Sequence, residues 1–185
     1  MYLSLEAPKQ QHLRLCLLLI LFLALAANSA HANTRLNTDN LQLVGKATLS
    51  KLFWTIYDSR LFSQTGEYKG IEAGLTLELT YQRKISAEQL IDSTREQWQA
   101  LSLYESEQSE QWLAALKKMW PDVNKSDVLT LQVDENMQSH FFFNNQLIGV
   151  MSDSLFTQHF LSIWLSPNNR YSTLQQQLIG LTDSM

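Results

Sequence analysis

The chain has 185 residues and carries 14 lysines and arginines against 18 aspartates and glutamates, a formal net charge of −4 at pH 7. A mildly acidic chain with no run of basic residues lacks the electrostatic footprint of a nucleic-acid-binding protein, so we expect no nucleic acid partner. Its length is that of about one domain with a substantial hydrophobic core.

The first 32 residues have the pattern of a secretory signal peptide. Lys9 and Arg14 precede the apolar run LCLLLILFLALAA, and small residues at Ala30 and Ala32 suit a cleavage site after Ala32. We therefore predict a signal peptide at 1–32 and a periplasmic or secreted location. The alternative is that the segment is retained as a membrane anchor.

The mature chain is predicted to be a single domain of residues 33–185. The only cysteine, Cys16, lies within the predicted signal peptide, so this domain has no disulfide and depends on its core for stability. The apolar run is shorter than the roughly 20 residues that span a bilayer, and no second run follows. We expect no stable membrane span after cleavage.

Two adjoining strands are predicted in LQLVGKATLSKLFWTIYDSRLF, which is rich in β-branched and aromatic residues and has a possible bulge at Gly45. The loop GEYKGIEAG follows, and LTLELTYQR then alternates regularly between apolar and polar side chains. This alternation predicts a strand that buries the face containing Leu75, Leu77, Leu79 and Tyr81.

Two helices are predicted next, because the spacing of the apolar residues changes to that of an amphipathic helix. In SAEQLIDSTREQWQAL, Ser86 is the expected N-cap and Gln89 completes a capping box. The second helix, SEQWLAALKKMW, places Trp112 and Trp120 inward and ends at Pro121.

The C-terminal half is predicted to contain a three-stranded meander, VLTLQV, SHFFF and QLIGVM, with a tight turn at Asn144-Asn145. A helix through SLFTQHFLSIWL follows, capped by Ser152 or Asp153, and a last helix is capped by Ser172. The order of strands, helices, strands and helices predicts an α+β fold, an antiparallel sheet with helices on one face.

The segment WTIYDSRLF raises the question of which face of its strand the helices cover. If it is extended, Asp58 and Arg60 share one face, and Tyr57 and Thr55 share the other. We expect Asp58 and Arg60 to pair with each other near the exposed end of the strand, which contributes little stability. Tyr57 is then the better candidate for a cleft between sheet and helices.

Several segments, in this order, resemble the bacterial branch of the chalcone isomerase-like family: LVGKATLSKLFWTIYDSRLF, LELTYQRKISAEQLIDSTREQW, FFFNNQLIGVMSD, FLSIWLSPN and LQQQLIG. The resemblance implies an open-faced sandwich with a cleft above its sheet. Members of that family include enzymes that cyclise a chalcone, proteins that bind fatty acids in the same cleft, and proteins without demonstrated chemistry. The fold alone does not choose among these functions.

One hypothesis is an isomerase that acts on a chalcone-like enone. The reaction needs a cation that holds a phenolate and hydroxyl donors that stabilise an enolate. By the resemblance, Lys46 occupies the neighbourhood of the enzymes' arginine, and Thr55 or Tyr57 supplies the hydroxyl group.

The leading hypothesis is a non-catalytic binder of a small amphipathic ligand, such as a fatty acid. Such a site needs a cation at a polar end, an apolar tube and a hydroxyl group beside the carboxylate. The candidate ligand-binding residues are Tyr57, Tyr81, Arg83, Lys46 and Arg60. A third hypothesis is an envelope accessory protein that works through protein–protein contacts.

We expect neither a metal nor a cofactor. His140 and His159 are the only histidines outside the predicted signal peptide, and without cysteine or nearby paired acids they do not form a convincing metal site. There is no glycine-rich phosphate loop. The many aromatic residues lie at strand and helix spacing, which indicates core packing.

Overall fold

Six strands pair in chain order to form one antiparallel sheet. The computed structural model describes residue 36 and residues 38–182, so the predicted signal peptide, its cleavage site and Cys16 lie outside the described residues. The strand bounds are Gln42–Lys51 (β1), Trp54–Ser63 (β2), Thr76–Tyr81 (β3), Val128–Val133 (β4), Ser139–Phe143 (β5) and Gln146–Met151 (β6).

Four helices accompany the sheet in the described part of the chain. Their bounds are Ala87–Ala100 (α1), Ser106–Met119 (α2), Ser154–Leu165 (α3) and Ser172–Leu178 (α4). The first two lie between β3 and β4 in the chain, and the other two follow β6. This arrangement is the predicted α+β open-faced sandwich. None of the described helices combines the length and the apolar character that a membrane crossing requires.

One face of the sheet, here called the inner face, packs against the helices. Its buried side chains include Leu61 on β2, Leu77 on β3 and Phe141 on β5. The ring of Phe141 lies 5.4 Å from that of Phe160 on α3, in an edge-to-face arrangement. Trp98 of α1 is completely buried in the same core. The interpretation of the aromatic residues as core packing is confirmed.

The outer face, on the other side of the sheet, carries Lys46 of β1 and Asp58 and Arg60 of β2. Lys46 lies directly opposite Arg60, and Thr48 lies opposite Asp58. Arg60 donates from Nε to Oε1 of Glu78 on β3 at 2.9 Å.

Asp58 bonds instead to residues of two neighbouring segments. It accepts from the Thr48 hydroxyl at 2.6 Å and from the Gln82 amide. The predicted Asp58–Arg60 pair is therefore wrong. Side chains directly opposite each other on adjacent strands are about 5 Å apart at Cβ, whereas residues i and i+2 of one strand are separated by about 6.7 Å.

Several element ends have the caps and turns that the local sequence predicts. Ser86 and Gln89 form the capping box of α1, and Asn144 and Asn145 adopt positive φ values of 48° and 68°. The register of β1 shifts beside Gly45, as predicted for a bulge.

Gly45 has a second reason to be glycine. A Cβ atom there would collide with the backbone carbonyl oxygen of Gln177, so its absence allows α4 to approach β1 closely. Helix α4 itself starts differently from the prediction, because Tyr171 occupies the N-cap and Ser172 is already helical.

Candidate functional site

A cavity of about 400 Å³ lies between the inner face of the sheet and the helices. Its floor comes from β1 to β4, and its walls come from α1, α3 and the segment that leads into α4. The volume lies within the range of about 300–1,000 Å³ that is usual for small-molecule pockets. The apolar lining residues include Leu49, Leu79, Leu90, Leu129, Ile163 and Leu174.

Two tyrosines on neighbouring strands form the polar part of the floor. Tyr57 of β2 is directly opposite Tyr81 of β3, and their rings meet edge to face with centroids 6.0 Å apart. The indole Nε1–H of Trp164 on α3 donates to the Tyr57 hydroxyl at 2.8 Å. This hydrogen bond joins the sheet to the helical layer at the cavity.

Both tyrosine hydroxyl groups remain protonated near neutral pH. Burial raises the pKa of Tyr57 and of Tyr81 well above the usual tyrosine value, because the charged phenolate would be removed from water. The Tyr81 hydroxyl makes no hydrogen bond with any residue that the structure describes. It is therefore a neutral donor available to a polar atom in the cavity.

Four cations line the outer part of the cavity, and we call Lys51, Arg83, Lys84 and Arg170 the cationic rim. None of the ion pairs between described residues includes them. Glu96 is the only acid among the lining residues. The rim therefore has an excess of positive charge, which favours an anionic head group.

The structure brings together some of the predicted site residues and separates others. Tyr57, Tyr81 and Arg83 all line the cavity. Lys46 and Arg60 lie on the outer face, because the period of two in β1 and β2 directs their side chains away from the helices. Neither can contact a ligand in this cavity.

Thr55 also lies outside the cavity. It is exposed, and its hydroxyl is 3.4 Å from that of Ser50. The register between β1 and β2 shifts beside Ile56, so the strict alternation that grouped Thr55 with Tyr57 does not hold. Ile56 lines the cavity in place of Thr55.

Several lining residues were missed from the sequence. Lys51, Lys84 and Arg170 come from three distant segments and meet only in the folded chain. Trp164 was assigned to the core, and it is buried, but its indole N–H also positions Tyr57. The adjacency of Lys84 to Arg83 was the only local signal for any of these residues.

The histidines have other partners. His140 lies 3.0 Å from a carboxylate oxygen of Asp134, and the ring of His159 packs edge to face on Trp112 at 5.4 Å. Among the described residues, no group of histidine, cysteine, aspartate and glutamate has an arrangement suited to a metal ion.

The sheet and its helices agree with what the comparisons with known proteins find. The family model described as chalcone isomerase-like matches residues 24–180. This chain belongs to the chalcone isomerase-like family. The match includes every strand and helix given above.

Two individual proteins illustrate how far the similarity extends. A Haemophilus influenzae protein described as uncharacterized is 29% identical over 143 residues, which cover 77% of this chain and 70% of that protein. The crystal structure of a fatty-acid binding protein from Arabidopsis thaliana matches with a TM-score of 0.59, over 80% of this chain and 90% of that one. Only 10% of the residues are identical in that comparison, so it concerns the fold.

Proposed function

We propose that this chalcone isomerase-like protein binds a small amphipathic anion, such as a fatty acid, in its cavity without covalent chemistry. One observation carries the proposal: apolar side chains of the sheet and the helices line the cavity together with a rim of cations without carboxylate partners. Transfer of an alkyl chain from water to such an apolar lining lowers the free energy. A carboxylate gains charge-assisted hydrogen bonds at the rim.

The floor of the cavity fits the same type of ligand. The ring of Tyr81 presents an apolar surface, and its hydroxyl group remains available to a polar atom. Trp164 fixes the Tyr57 hydroxyl through a hydrogen bond, so the floor is ordered before a ligand enters. The fold similarity to a protein named for fatty-acid binding supports this proposal.

The isomerase hypothesis is less compatible with this geometry. It used Lys46 as the cation and a hydroxyl from Thr55 or Tyr57, and only Tyr57 lines the cavity. A chalcone panel incubated with the protein tests it: loss of enone absorbance that disappears in Tyr57→Phe would favour the isomerase. No specific contact favours the accessory-protein hypothesis over ligand binding.

Calorimetric titration with dodecanoate, and with dodecanol as an uncharged counterpart, tests the proposed function. The variant Lys84→Gln/Arg170→Gln removes one lysine and one arginine from the cationic rim. We expect it to weaken dodecanoate binding at least about tenfold, or about 1.4 kcal/mol, and to leave dodecanol binding within about twofold.

The matched control is Lys46→Gln/Arg60→Gln, which removes the same two residue types from the outer face. It should change the affinity for either ligand by less than about twofold, because exposed charges on the far side of the sheet are screened. Equal losses in both variants, or no binding of fatty acids from octanoate to octadecanoate, would refute the proposal. A lipid found by native mass spectrometry of the purified protein would support it.

We further propose that the protein is exported and acts in the periplasm. The pattern of residues 1–32 supports export, and the absence of cysteine after Cys16 is compatible with an oxidising compartment. Mass determination of the protein from cell fractions tests this: we expect a periplasmic chain that begins at Asn33. A full-length chain in the membrane fraction would instead favour an anchor.

A further inference from the structure

The turn between β1 and β2 exposes three large apolar side chains in succession. Leu52 is 88% exposed, Phe53 is 97% exposed and Trp54 is 66% exposed. We call these three residues the hairpin tip. They stand out from the sheet with almost no packing partners, so they contribute little to the hydrophobic core.

The residues of the hairpin tip also differ from those that two-residue turns usually contain. Lys51 pairs with Trp54, which leaves Leu52 and Phe53 as a two-residue turn, and Leu52 adopts a φ of 57°. Such turns favour glycine, asparagine and aspartate, because a branched side chain at positive φ is strained. The β5–β6 turn follows this rule with Asn144 and Asn145. The folding of the hairpin therefore does not explain leucine and phenylalanine at its tip.

Cations lie beside the hairpin tip. Lys51 is its immediate neighbour, and the Arg83 guanidinium lies 6.0 Å from the centre of the Trp54 ring. Lys84 follows Arg83 in the chain, and none of the three cations takes part in an ion pair between described residues. There is no acid in residues 41–57, which include the hairpin tip, or in residues 79–87, which include Arg83 and Lys84.

We propose that the hairpin tip inserts into the surface of an anionic lipid bilayer, with Lys51, Arg83 and Lys84 at the level of the head groups. Burial at the boundary between head groups and acyl chains is favourable for leucine, phenylalanine and tryptophan side chains. Tryptophan in particular is well accommodated there. Each cation near an anionic surface adds a favourable electrostatic contribution.

The shape of the tip favours a bilayer over a protein partner. Protein interfaces usually surround their aromatic anchors with a packed, partly buried rim. Here the three apolar residues protrude, and the cations Lys51 and Arg83 lie beside them, an arrangement that matches the layered polarity of a membrane surface. A crosslinking test distinguishes a protein partner from a bilayer.

Docking in this way would place the cavity opening at the membrane. Lys51, Arg83 and Lys84 belong to the cationic rim as well as flanking the hairpin tip. A fatty acid leaving the bilayer would then meet the cationic rim directly. This consequence rests on the proposed function, whereas the docking itself does not.

Tryptophan fluorescence reports on the hairpin tip directly, because Trp54 is the only exposed one of the five tryptophans, all of which the structure describes. The ligand-free protein, with its N-terminus determined by mass, is titrated with vesicles of phosphatidylethanolamine and phosphatidylglycerol. Vesicles of phosphatidylethanolamine and phosphatidylcholine provide the uncharged comparison. We expect a blue shift, and quenching by brominated acyl chains, with the anionic vesicles.

The variant Leu52→Asn/Phe53→Ser removes two apolar residues and keeps the Trp54 reporter. Asparagine accepts positive φ, so the hairpin should fold at least as well as in the natural chain, which circular dichroism checks. We expect the vesicle partition coefficient to fall at least about tenfold. Leu155→Ser, which removes an exposed leucine from α3, should leave it within about twofold.

The contribution of charge has its own pair of variants. Lys51→Gln/Lys84→Gln should weaken binding to anionic vesicles and reduce its salt dependence, whereas Lys117→Gln/Lys118→Gln on α2 should not. A Trp54 spectrum that does not respond to any vesicle would overturn the proposal, as would a response unchanged in Leu52→Asn/Phe53→Ser. Crosslinking of the hairpin tip to one protein, without vesicle binding, would assign it to a protein partner instead.

Fatty-acid titration of Leu52→Asn/Phe53→Ser in lipid-free solution separates this proposal from the proposed function. Neither residue lines the cavity, so dodecanoate affinity should be that of the natural chain. If the natural chain binds vesicles but does not bind dodecanoate, docking is supported and the ligand-binding proposal is refuted. If the natural chain binds dodecanoate but no vesicles, only the docking proposal is refuted.

Discussion

The two faces of β2 differ in nearly every physical property, although their residues alternate in one short segment. The inner face contributes Tyr57 to the cavity and Leu61, which is fully buried, to the core. The outer face carries Asp58 and Arg60, which bond across the sheet to side chains of neighbouring segments. Residues adjacent in sequence therefore lie in different environments, and the side on which the helices pack determines which residue is buried.

The comparison also explains why charge alone was a poor guide to the site. Arg60 on β2 and Lys46 on β1 are exposed cations, yet the sheet separates them from the cavity. Lys51, at the end of the same hairpin, lines the cavity. A cation contributes to a site through the direction of its side chain, which the sheet register fixes.

The largest effect is expected on the inner face. Leu61→Ala should lower the free energy of unfolding by about 2–5 kcal/mol, because Leu61 is fully buried and the helices cannot fill the space that it leaves. Urea unfolding followed by circular dichroism measures the change. A loss below about 1 kcal/mol would mean that the inner face is not the packed side of β2.

Tyr57→Phe tests the link between sheet and helices at neutral pH. The substitution removes the acceptor of the Trp164 indole N–H, so we expect a loss of about 1–3 kcal/mol. The same urea experiment applies. Unchanged stability would contradict the hydrogen bond.

Alkaline pH should reduce that difference. The folded-state pKa of Tyr57 is raised by burial, so above about pH 10 the unfolded chain loses the phenolic proton while the folded chain keeps it. The contribution of Tyr57 to stability is thus complete below the unfolded pKa and decreases as pH rises, by up to about 1.4 kcal/mol per pH unit. Unfolding of both proteins from pH 8 to pH 11 should show the natural chain losing more stability than Tyr57→Phe. Parallel pH profiles would exclude the raised pKa.

The smallest effect is expected on the outer face. Arg60→Gln breaks the ion pair with Glu78, but the Arg60 side chain is 51% exposed, so the loss should be about 1 kcal/mol or less. Salt should weaken the natural pair further. A loss as large as that of Leu61→Ala would remove the distinction between the two faces.

Local patterns predicted most of the fold. The capping box at Ser86, the turn at Asn144-Asn145 and the alternation of LTLELTYQR each depend on residues close together in the chain. The order of these elements was sufficient for an α+β sheet with helices on one face. The match to the chalcone isomerase-like family confirms the resemblance that the same segments suggested.

The cavity was only partly predictable. Tyr57, Tyr81 and Arg83 were identified because they lie on or directly after the clearest strands. Lys51 and Arg170 were not, since nothing in their neighbouring sequence indicates that they meet.

The sequence by itself determined which segments are strands and helices, because hydrogen bonding within turns and caps and the burial of periodic apolar faces act over a few residues. Only the tertiary structure decided the cross-strand partners of Asp58 and Arg60 and the composition of the cationic rim. Those features depend on strand register, on the shift beside Ile56 and on the position of α4 over Gly45. Each is a contact between distant segments, set by how the whole chain packs.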